Sequence, residues 1–459
     1  MIHRYQKKGL NFVLDVNSGA VHLLDDISYA VSGLLDENMG DTCPQSIIDA
    51  LPDYTADEIR EAYDELYELK KAGQLFAQDD YIDVSRYIPV NAPVKALCLH
   101  VAHDCNLRCQ YCFASTGDFG QGRKIMPPEI AKKAIDFVIA RSGVRPNIEV
   151  DFFGGEPLMA WDTVTQTVDY ARSLEEKYNK KFRFTITTNG LLLDEDKRKY
   201  INENMDNCVL SLDGRREVND EFRKTVAGTG SYDTIVPKFK ALVDERDPNL
   251  DYYARGTFTS HNLDFAEDVL SIADAGFDRL SVEPVTADPG CGYDLTEDDL
   301  PKIEAEYDRL TDIMLERKKE GKPFTFFHFM VDLDQGPCVV KRLRGCGAGY
   351  EYVAVTPDGD IYPCHQFVGK DEFKQGSVLD QSFNMDIAQK FAGMNIYSRP
   401  KCQKCWAKFY CSGGCSAANY NMNHDMNDSY DLGCEMERKR LECAIYLKAM
   451  DKICANQSK

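Results

Sequence analysis

Apolar runs of strand length alternate with amphipathic segments of helical length through the middle of the 459-residue chain. The segment 127–140 starts with proline and is followed by Gly143, as helices often are. Six β-then-α units predict an α/β fold, a parallel sheet curled into a partial (β/α)6 TIM-like barrel over residues 94–325. The strand candidates are VKALCLHVA, NIEVDFF, KFRFTITT, NCVLSLD, LDYYARGTFT and FDRLSVEPV.

The N-terminal segment has a different pattern, which predicts a separate small domain over residues 1–90. Two apolar runs, LNFVLDV and AVHLL, flank the hairpin turn signal Asn17-Ser18-Gly19. Helical periodicity follows near residues 27–35 and over 56–72, and Gly73 is placed to end the second helix. A hairpin followed by helices resembles a winged helix.

Winged helices often read DNA, but this segment has no concentrated basic patch. Its second helical stretch instead carries many carboxylates: Asp57, Glu58, Glu61, Asp64, Glu65 and Glu68. The segment is physically better suited to bind a peptide, as an added strand at the exposed edge of the hairpin sheet, than to bind DNA.

The net charge of −21 argues against bulk binding to nucleic acid or to anionic lipid. The N-terminus has no apolar run like that of a signal peptide, and no stretch of about 18 apolar residues occurs anywhere. We therefore expect a cytoplasmic protein with neither nucleic acid nor membrane as partner.

Seventeen cysteines are the most informative feature of the composition. Disulfides are rare in reducing cytosol, so clustered thiols there indicate metal binding or redox chemistry. Many of them lie in residues 330–459, a region predicted to be loop-rich, where bound metal could replace a missing core. Six of the seventeen cysteines are scattered along the chain, and we expect them to be small buried residues: Cys43, Cys98, Cys208, Cys291, Cys443 and Cys454.

Short motifs follow the first four predicted strands. Chemistry in βα barrels takes place on loops at the C-terminal ends of the strands, so the motifs predict one site on one rim. They are CNLRCQYC at residues 105–112, Gly154-Gly155-Glu156-Pro157, Thr188-Asn189-Gly190 and Ser211-Leu212-Asp213-Gly214.

The first motif contains Cys105, Cys109 and Cys112, with no fourth cysteine in the next 90 residues. Zinc is one interpretation, but structural zinc sites are closed by four ligands. Three thiolates can instead hold three irons of a [4Fe–4S] cube and leave the fourth iron free for a small molecule. Tyr111 and Phe113 are placed to shield such a cluster.

The CxxxCxxC motif, GGEP after the second strand and the six-unit barrel together resemble the radical S-adenosylmethionine (SAM) enzymes. The resemblance implies that Cys105, Cys109 and Cys112 hold the cluster that cleaves SAM, giving a 5′-deoxyadenosyl radical that abstracts hydrogen from a substrate. It also implies positions near the cluster or SAM for Tyr111, Phe113, Gly154, Gly155, Glu156, Pro157, Asn189, Ser211, Arg223 and Arg255.

The C-terminal cysteine pattern reads Cys346, twelve residues, Gly359, four residues and Cys364, then Cys402-x2-Cys405-x5-Cys411-x3-Cys415, and finally Cys434. This pattern resembles the SPASM extension of radical SAM peptide and protein modifiers. The resemblance implies two auxiliary clusters, hence three [4Fe–4S] clusters in all; a double zinc ribbon is the alternative. Cys338 is placed to complete the inner set, and without it the inner cluster would be open to a substrate thiolate. The implied outer ligands are Cys402, Cys405, Cys411 and Cys434, and the inner ones are Cys346, Cys364 and Cys415.

The N-terminal domain resembles the RiPP recognition element, which binds the leader of a ribosomally made precursor peptide. The opening IHRYQKKGLNFVLDVNSGAVHLLDD resembles the maturases of SCIFF peptides. This implies a cysteine-rich precursor peptide, a flavodoxin- or ferredoxin-type electron donor, and sactipeptide-type thioether bonds from cysteine sulfur to an α-carbon, expected to be that of threonine. The alternatives are another SPASM modifier, such as an anaerobic sulfatase-maturing enzyme or a peptide epimerase, and a non-catalytic iron–sulfur redox protein.

Overall fold

The structure is a computed structural model that describes residues 1–86, 92–333 and 339–457. The chain divides into two compact units. The barrel unit comprises Ile88–His328 and Cys346–Gly393, and the terminal unit comprises Met1–Tyr87, Phe329–Gly345 and Met394–Lys459. The terminal unit joins the two ends of the chain, while the division into three domains along the sequence stays a prediction.

A three-stranded antiparallel sheet and four helices form the N-terminal part of the terminal unit. The strands, paired in the order β1-β2-β3, are β1 (Ile2–Lys7), β2 (Leu10–Asp15) and β3 (Val21–Leu24). The helices are α1 (Asp26–Ser32), α2 (Gln45–Ala50), α3 (Ala56–Lys71) and α4 (Ile82–Arg86). The β2–β3 hairpin, α1 and α3 confirm the elements predicted from the sequence pattern. The pattern did not predict β1 or α2.

The next part of the chain forms the barrel. Its strands are β4 (Ala96–His103), β5 (Lys124–Ile125), β6 (Asn147–Gly154), β7 (Lys181–Thr188), β8 (Asn207–Ser211), β9 (Asp251–Phe258), β10 (Arg279–Pro284) and β11 (Thr325–Phe326). Its helices are α5 (Pro128–Arg141), α6 (Trp161–Tyr178), α7 (Glu195–Asn204), α8 (Arg216–Phe222), α9 (Tyr232–Asp244), α10 (Phe265–Asp274) and α11 (Leu300–Lys319).

Parallel pairing joins β4, β6, β7, β8, β9, β10 and β11 in that order, which confirms the predicted TIM-like α/β sheet. The apolar side chains of Phe152, Phe184 and Leu210 are fully buried. The register pairs Ser211 with Arg255 on the neighbouring strand. Polar residues near the C-terminal ends of the strands are therefore brought side by side.

The cysteine-rich region has more regular structure than expected. Its elements are α12 (Val339–Arg344), β12 (Tyr352–Val355), β13 (Asp360–Tyr362), β14 (Gly376–Ser377), α13 (Met385–Gly393), α14 (Pro400–Gln403), α15 (Lys408–Cys411), α16 (Ser416–Asn423) and α17 (Asp431–Gln457). Strand β12 pairs in parallel with β4 and so extends the barrel sheet. The prediction of a loop-rich region is wrong for residues 431–457, which form one long helix.

Helix α17 packs on the N-terminal sheet within the terminal unit. The Phe12 and Tyr446 rings meet edge to face with centroids 6.3 Å apart, and the Tyr5 hydroxyl donates to the Glu442 carbonyl at 3.2 Å. Phe12 is fully buried, and Tyr446 is 5% exposed. The two ends of the chain therefore share a hydrophobic core.

A second core in the same unit holds the cysteine-rich loop. Val16 from the N-terminal segment packs in one buried cluster with Leu343, Ile396, Cys402 and Phe409. Because Cys402 and Phe409 lie in the loop that bears the predicted outer ligands, this loop is supported by the N-terminal segment.

The scattered cysteines follow the expected burial only in part. Cys98, Cys208 and Cys443 are buried, and Cys43 is partly buried. The prediction of burial was wrong for Cys291 and Cys454, which are exposed. Cys291 lies between two glycines in the loop after β10, and Cys454 lies near the solvent-exposed end of α17. Among the described helices, none has both the length and the apolar character needed to cross a membrane.

Candidate active site

The C-terminal ends of the barrel strands surround a cavity of about 260 Å³. Cys105, Cys109 and Cys112 all line it, and among the described residues no other cysteine does. The other sequence-predicted site residues that line it are Tyr111, Phe113, Gly154, Gly155, Glu156, Asn189, Ser211, Arg223 and Arg255. Pro157 is buried behind the rim, where it begins a short 3-10 helix.

Two of the three thiols, those of Cys105 and Cys109, lie in surroundings that oppose their ionisation in the absence of a metal. Burial raises the pKa of Cys105 to about 12, and the Glu156 carboxylate adds to the effect. Burial also raises the pKa of Cys109 to about 11, although the Arg223 guanidinium works against it. A bound cation that takes three thiolates would remove this cost. Three thiols that line one cavity suit an iron–sulfur cluster, which Cys105, Cys109 and Cys112 would hold.

The glycines of the second motif are required by the close approach of two chain segments. A Cβ atom on Gly154 would lie 2.3 Å from the Ala102 carbonyl oxygen, and one on Gly155 would lie 2.1 Å from that of Asp104. Gly155 donates its N–H to Ala102 O at 2.8 Å. The GGEP turn therefore packs directly against the start of the cysteine loop, which only glycine permits.

Glu156 ties the second and third motifs together. Its buried carboxylate accepts the N–H of Leu158 at 3.0 Å, the hydroxyl of Thr188 at 2.7 Å and the N–H of Asn189 at 2.8 Å. Burial raises the pKa of Glu156 to about 6, against the lowering effect of these hydrogen bonds. The amide of Asn189 in turn donates to Asn106 Oδ1 at 2.7 Å and lies 3.5 Å from Cys105 Sγ.

Asp213, in the fourth motif, holds a buried arginine at the cavity wall. Its carboxylate is fully buried, lies 3.1 Å from Arg223 Nε, and accepts the Tyr111 hydroxyl at 2.6 Å and the Thr257 N–H at 3.1 Å. Tyr111 belongs to the cysteine loop, so Asp213 fixes both that loop and the guanidinium. The sequence marked the motif but assigned Asp213 no role.

A second ion pair between an arginine and a carboxylate lies on the cavity wall and joins β9 to β10. Arg255 Nη2 contacts Glu283 Oε2 at 2.5 Å, and His328 Nε2 lies 3.8 Å from the other carboxylate oxygen. Glu283 and His365 line the cavity but were not named from the sequence. The rule that pointed to the first four strands, applied to the sixth, would have found Glu283.

The wall near Phe113 is aromatic. The His365 ring centroid lies 5.0 Å from that of Phe153 and 5.3 Å from that of Phe113. Burial lowers the pKa of His365 to about 4, and the nearby Arg255 charge lowers it further. A neutral imidazole and two phenyl rings give this wall a low polarity, while Phe113 itself remains 45% exposed.

A second cavity, of about 240 Å³, lies within the terminal unit. All four predicted outer ligands line it: Cys402, Cys405, Cys411 and Cys434. Burial raises the pKa of Cys411 above its usual range and that of Cys434 to about 11. Within the described ranges, no three His, Cys, Asp or Glu side chains are arranged to bind a single metal ion. Four thiols around a cavity of this size suit a larger group such as a cluster.

The predicted inner ligands are distributed over both units. Cys346 is exposed and Cys364 is buried in the barrel unit, and Cys415 is exposed in the terminal unit. Cys338 lies outside the described residues. The inner set stays a prediction.

Two protein families match the chain at these sites. Residues 99–251 match the radical SAM superfamily, and residues 346–406 match SPASM, an iron–sulfur cluster-binding domain. The chain carries a radical SAM domain followed by a SPASM domain. The radical SAM match includes the cysteine loop, GGEP and Arg223, whereas Arg255 and Glu283 lie beyond it.

Proteins with this radical SAM fold include several modifying enzymes. A cysteine-type anaerobic sulfatase-maturating enzyme of Clostridium novyi is 25% identical over 354 residues, 72% of this chain and 90% of that protein. The structure of anSMEcpe with bound AdoMet is similar at a TM-score of 0.63 and 21% identity, covering 78% of this chain and 99% of that chain. The structure of Streptococcus suis SuiB bound to S-adenosylmethionine is similar at a TM-score of 0.52 and 18% identity. The similarity covers 94% of this chain and 97% of that chain.

We expect the Glu156→Gln variant of the radical SAM domain to weaken SAM binding by about tenfold. The amide keeps the shape of the side chain but faces the Asn189 N–H with a donor, so one buried N–H loses its acceptor, which costs about 1–3 kcal/mol. Equilibrium dialysis of the cluster-loaded protein with labelled SAM measures the change. An unchanged affinity would show that the position of Asn189 does not depend on the Glu156 charge.

Proposed function

We propose that the chain is a radical SAM peptide maturase that forms bonds between cysteine sulfur and an α-carbon in a cysteine-rich precursor peptide. The observation that carries the radical SAM chemistry in this proposal is the cavity in which three cysteines meet Arg223, Arg255 and the aromatic wall, with no further cysteine among the described lining residues. Cys105, Cys109 and Cys112 would hold a cluster there, and with bound SAM it would supply the radical chemistry that takes hydrogen from a peptide.

The residues of this chain bind, orient and exclude water around that chemistry. Gly154 and Gly155 let the backbone approach the cysteine loop, and Asp213 and Glu156 hold Arg223 and Asn189 at the cavity wall. Arg223 and Arg255 provide positive charge for the carboxylate of SAM. The ring of Phe153 and the neutral ring of His365 exclude water from the side where a radical must survive.

A peptide substrate is supported by the free edge of the N-terminal sheet. In the described residues, β3 pairs with β2 alone, and Leu23 is 43% exposed. Asp15 donates its N–H to Ala20 O, so the antiparallel alternation directs the N–H groups of Val21 and Leu23 away from β2. A leader segment can therefore add as a further strand there. SuiB has been seen with its precursor peptide SuiA bound.

Sulfatase maturation is the second candidate, since an anaerobic sulfatase-maturating enzyme is among the relatives. The free strand edge of the N-terminal segment supports a peptide with a leader. The similarity to SuiB extends over 94% of this chain at a TM-score of 0.52, and the similarity to anSMEcpe extends over 78% at a TM-score of 0.63. We further propose a cytoplasmic enzyme that receives its electrons from a flavodoxin- or ferredoxin-type donor.

Anaerobic incubation of the reconstituted protein with dithionite, SAM and a cysteine-rich peptide encoded beside it tests this function. Mass spectrometry is expected to show a loss of about two hydrogens per thioether crosslink, with 5′-deoxyadenosine formed alongside. Formation of 5′-deoxyadenosine without any change in the peptide, but with oxidation of a sulfatase-derived cysteine peptide, would favour the second candidate.

We expect Leu23→Pro to weaken binding of the precursor peptide by at least about tenfold. Proline removes an N–H from the free edge of β3 without removing a bond to β2, so only the added strand loses a partner. Leu23→Ala is the matched control, because it shortens the side chain but keeps the N–H. Fluorescence anisotropy of a labelled leader measures both affinities. Equal losses in the two variants would assign the effect to the side chain and would count against strand addition.

A further inference from the structure

The outer cavity surrounds its cysteines with hydrogen-bond donors as well as with apolar atoms. This matters if the cavity holds an iron–sulfur cluster, so the inference below rests on the proposed function. The reduction potential of such a cluster depends on the net charge around it, on hydrogen bonds to its sulfurs and on its exposure to solvent. Two side chains, Ser429 and Arg438, supply the first two of these.

Ser429 lies beside the first cysteine of the set. Its hydroxyl is 3.4 Å from Cys402 Sγ, and the residue is 2% exposed. The Ser429 carbonyl accepts the Lys401 ammonium and the Asn423 amide at 3.3 Å each, which holds its backbone in place. Once Cys402 is a thiolate, the hydroxyl can only be the donor of this pair.

Arg438 extends from the first turns of α17 into the cavity wall. Its Nη1 lies 4.0 Å from Cys405 Sγ, while its Nε donates to Glu435 Oε2 at 3.2 Å. Glu435 is one helical turn away and does not line the cavity, so it orients the guanidinium without standing between it and the sulfurs.

The carboxylates on the same wall have cations of their own. Asp431 contacts Lys401 at 2.8 Å, and Glu437 forms an ion pair with Arg440. These two negative charges are therefore partly neutralised where they stand. Arg438 is also ion-paired, with Glu435, and of these groups it is the one whose guanidinium lies against a ligand sulfur.

We propose that Arg438 and Ser429 raise the reduction potential of the outer cluster. Reduction adds one electron to the cluster, and both a positive charge and a donated hydrogen bond at the sulfurs stabilise the form with the extra electron. Neither group touches substrate, so both are positioning residues that act through the cysteine sulfurs. A raised potential suits a cluster that accepts an electron, unlike the cluster that must reduce SAM.

A redox titration followed by electron paramagnetic resonance tests the proposal on the full reconstituted chain. The outer-cluster transition is assigned as the one lost when alanine replaces all four cysteines of the outer cavity, Cys402, Cys405, Cys411 and Cys434. We expect Arg438→Gln to shift its reduction equilibrium about tenfold toward the oxidised form, which is about 59 mV for one electron. Arg438→Lys keeps the charge and should restore part of the shift, and Ser429→Ala should give a smaller shift of the same sign.

Arg60→Gln is the matched control. Arg60 lies on α3 and forms the same kind of ion pair with a carboxylate three residues away: its Nη1 is 2.9 Å from Asp57 Oδ1. The control variant removes the same charge and should leave the potential unchanged. If Arg438→Gln does not retain its iron, Ser429→Ala and Arg438→Lys decide the matter. Unchanged potentials in variants with full iron content would overturn the proposal. Equal iron content in wild type and the fourfold cysteine variant would instead overturn the outer cluster itself.

Discussion

Simultaneous replacement of Cys105, Cys109 and Cys112 by alanine is expected to reduce SAM cleavage to the level without enzyme. The three thiols are the cysteines that line the barrel cavity among the described residues, so no neighbouring sulfur can take their place. Iron content should fall by about four atoms per chain, the content of one [4Fe–4S] cluster. Chromatographic detection of 5′-deoxyadenosine and colorimetric iron analysis measure the two effects.

The control for this variant is the pair Cys98→Ala and Cys208→Ala, buried cysteines that line neither cavity. These single variants should keep their iron and their SAM cleavage, apart from a modest loss of stability. Loss of all iron from the triple variant would contradict separate cluster sites. Residual SAM cleavage in it would contradict the assignment of the cysteine loop.

Deletion of residues 1–86 is expected to release the iron of the outer cavity as well as to abolish peptide binding. The deletion removes Val16 from the core that contains Cys402 and Phe409. It also removes Asp79, whose carboxylate contacts the nearly buried Lys408 ammonium at 2.7 Å. Breaking a buried pair by removing one partner costs roughly 3–5 kcal/mol. Iron analysis and Mössbauer spectroscopy should find about four irons lost, with SAM cleavage retained.

A smaller change separates the ion pair from the rest of the deletion. Asp79→Asn should weaken iron retention in the outer cavity, because it leaves the Lys408 charge without its partner. The double variant Asp79→Asn/Lys408→Met should recover most of the loss, since it removes both charges. Full iron content in the deletion variant would mean that the cysteine-rich loop keeps its shape without the N-terminal segment.

The barrel was predictable because each of its elements carries its own local signal. Strand β6, NIEVDFFG, alternates exposed and buried positions in its first half, as a strand with one polar face does. The rim motifs could be placed together because parallel strands bring their C-terminal ends to one edge, which is where Asn189 and Arg223 line the cavity. Their hydrogen-bond partners are set by side-chain packing across strands, so the role of Asp213 needed the structure.

Other elements were missed because their pattern is set by long-range packing. Strand β1, IHRYQK, has four polar residues in six, and its pairing with β2 and its contacts to α17 decide its state. Helix α17 has charged residues interspersed among its cysteines and apolar residues, so the helical periodicity of its hydrophobic positions is weak in the sequence. His365 follows a cysteine in a short segment without regular periodicity, and its place on the cavity wall comes from the fold alone.

The contact between Phe12 and Tyr446 also determines when this protein can finish folding. A ribosome adds roughly 5–20 residues per second, so the sheet that bears Phe12 waits roughly 20–90 s before the helix that covers it has been made. During that time its apolar face is exposed, and chaperones have an obvious place to bind. Nonsense mutations or proteolysis near the C-terminus would therefore damage the N-terminal sheet first. Slower translation lengthens this exposure and should lower the yield of soluble protein.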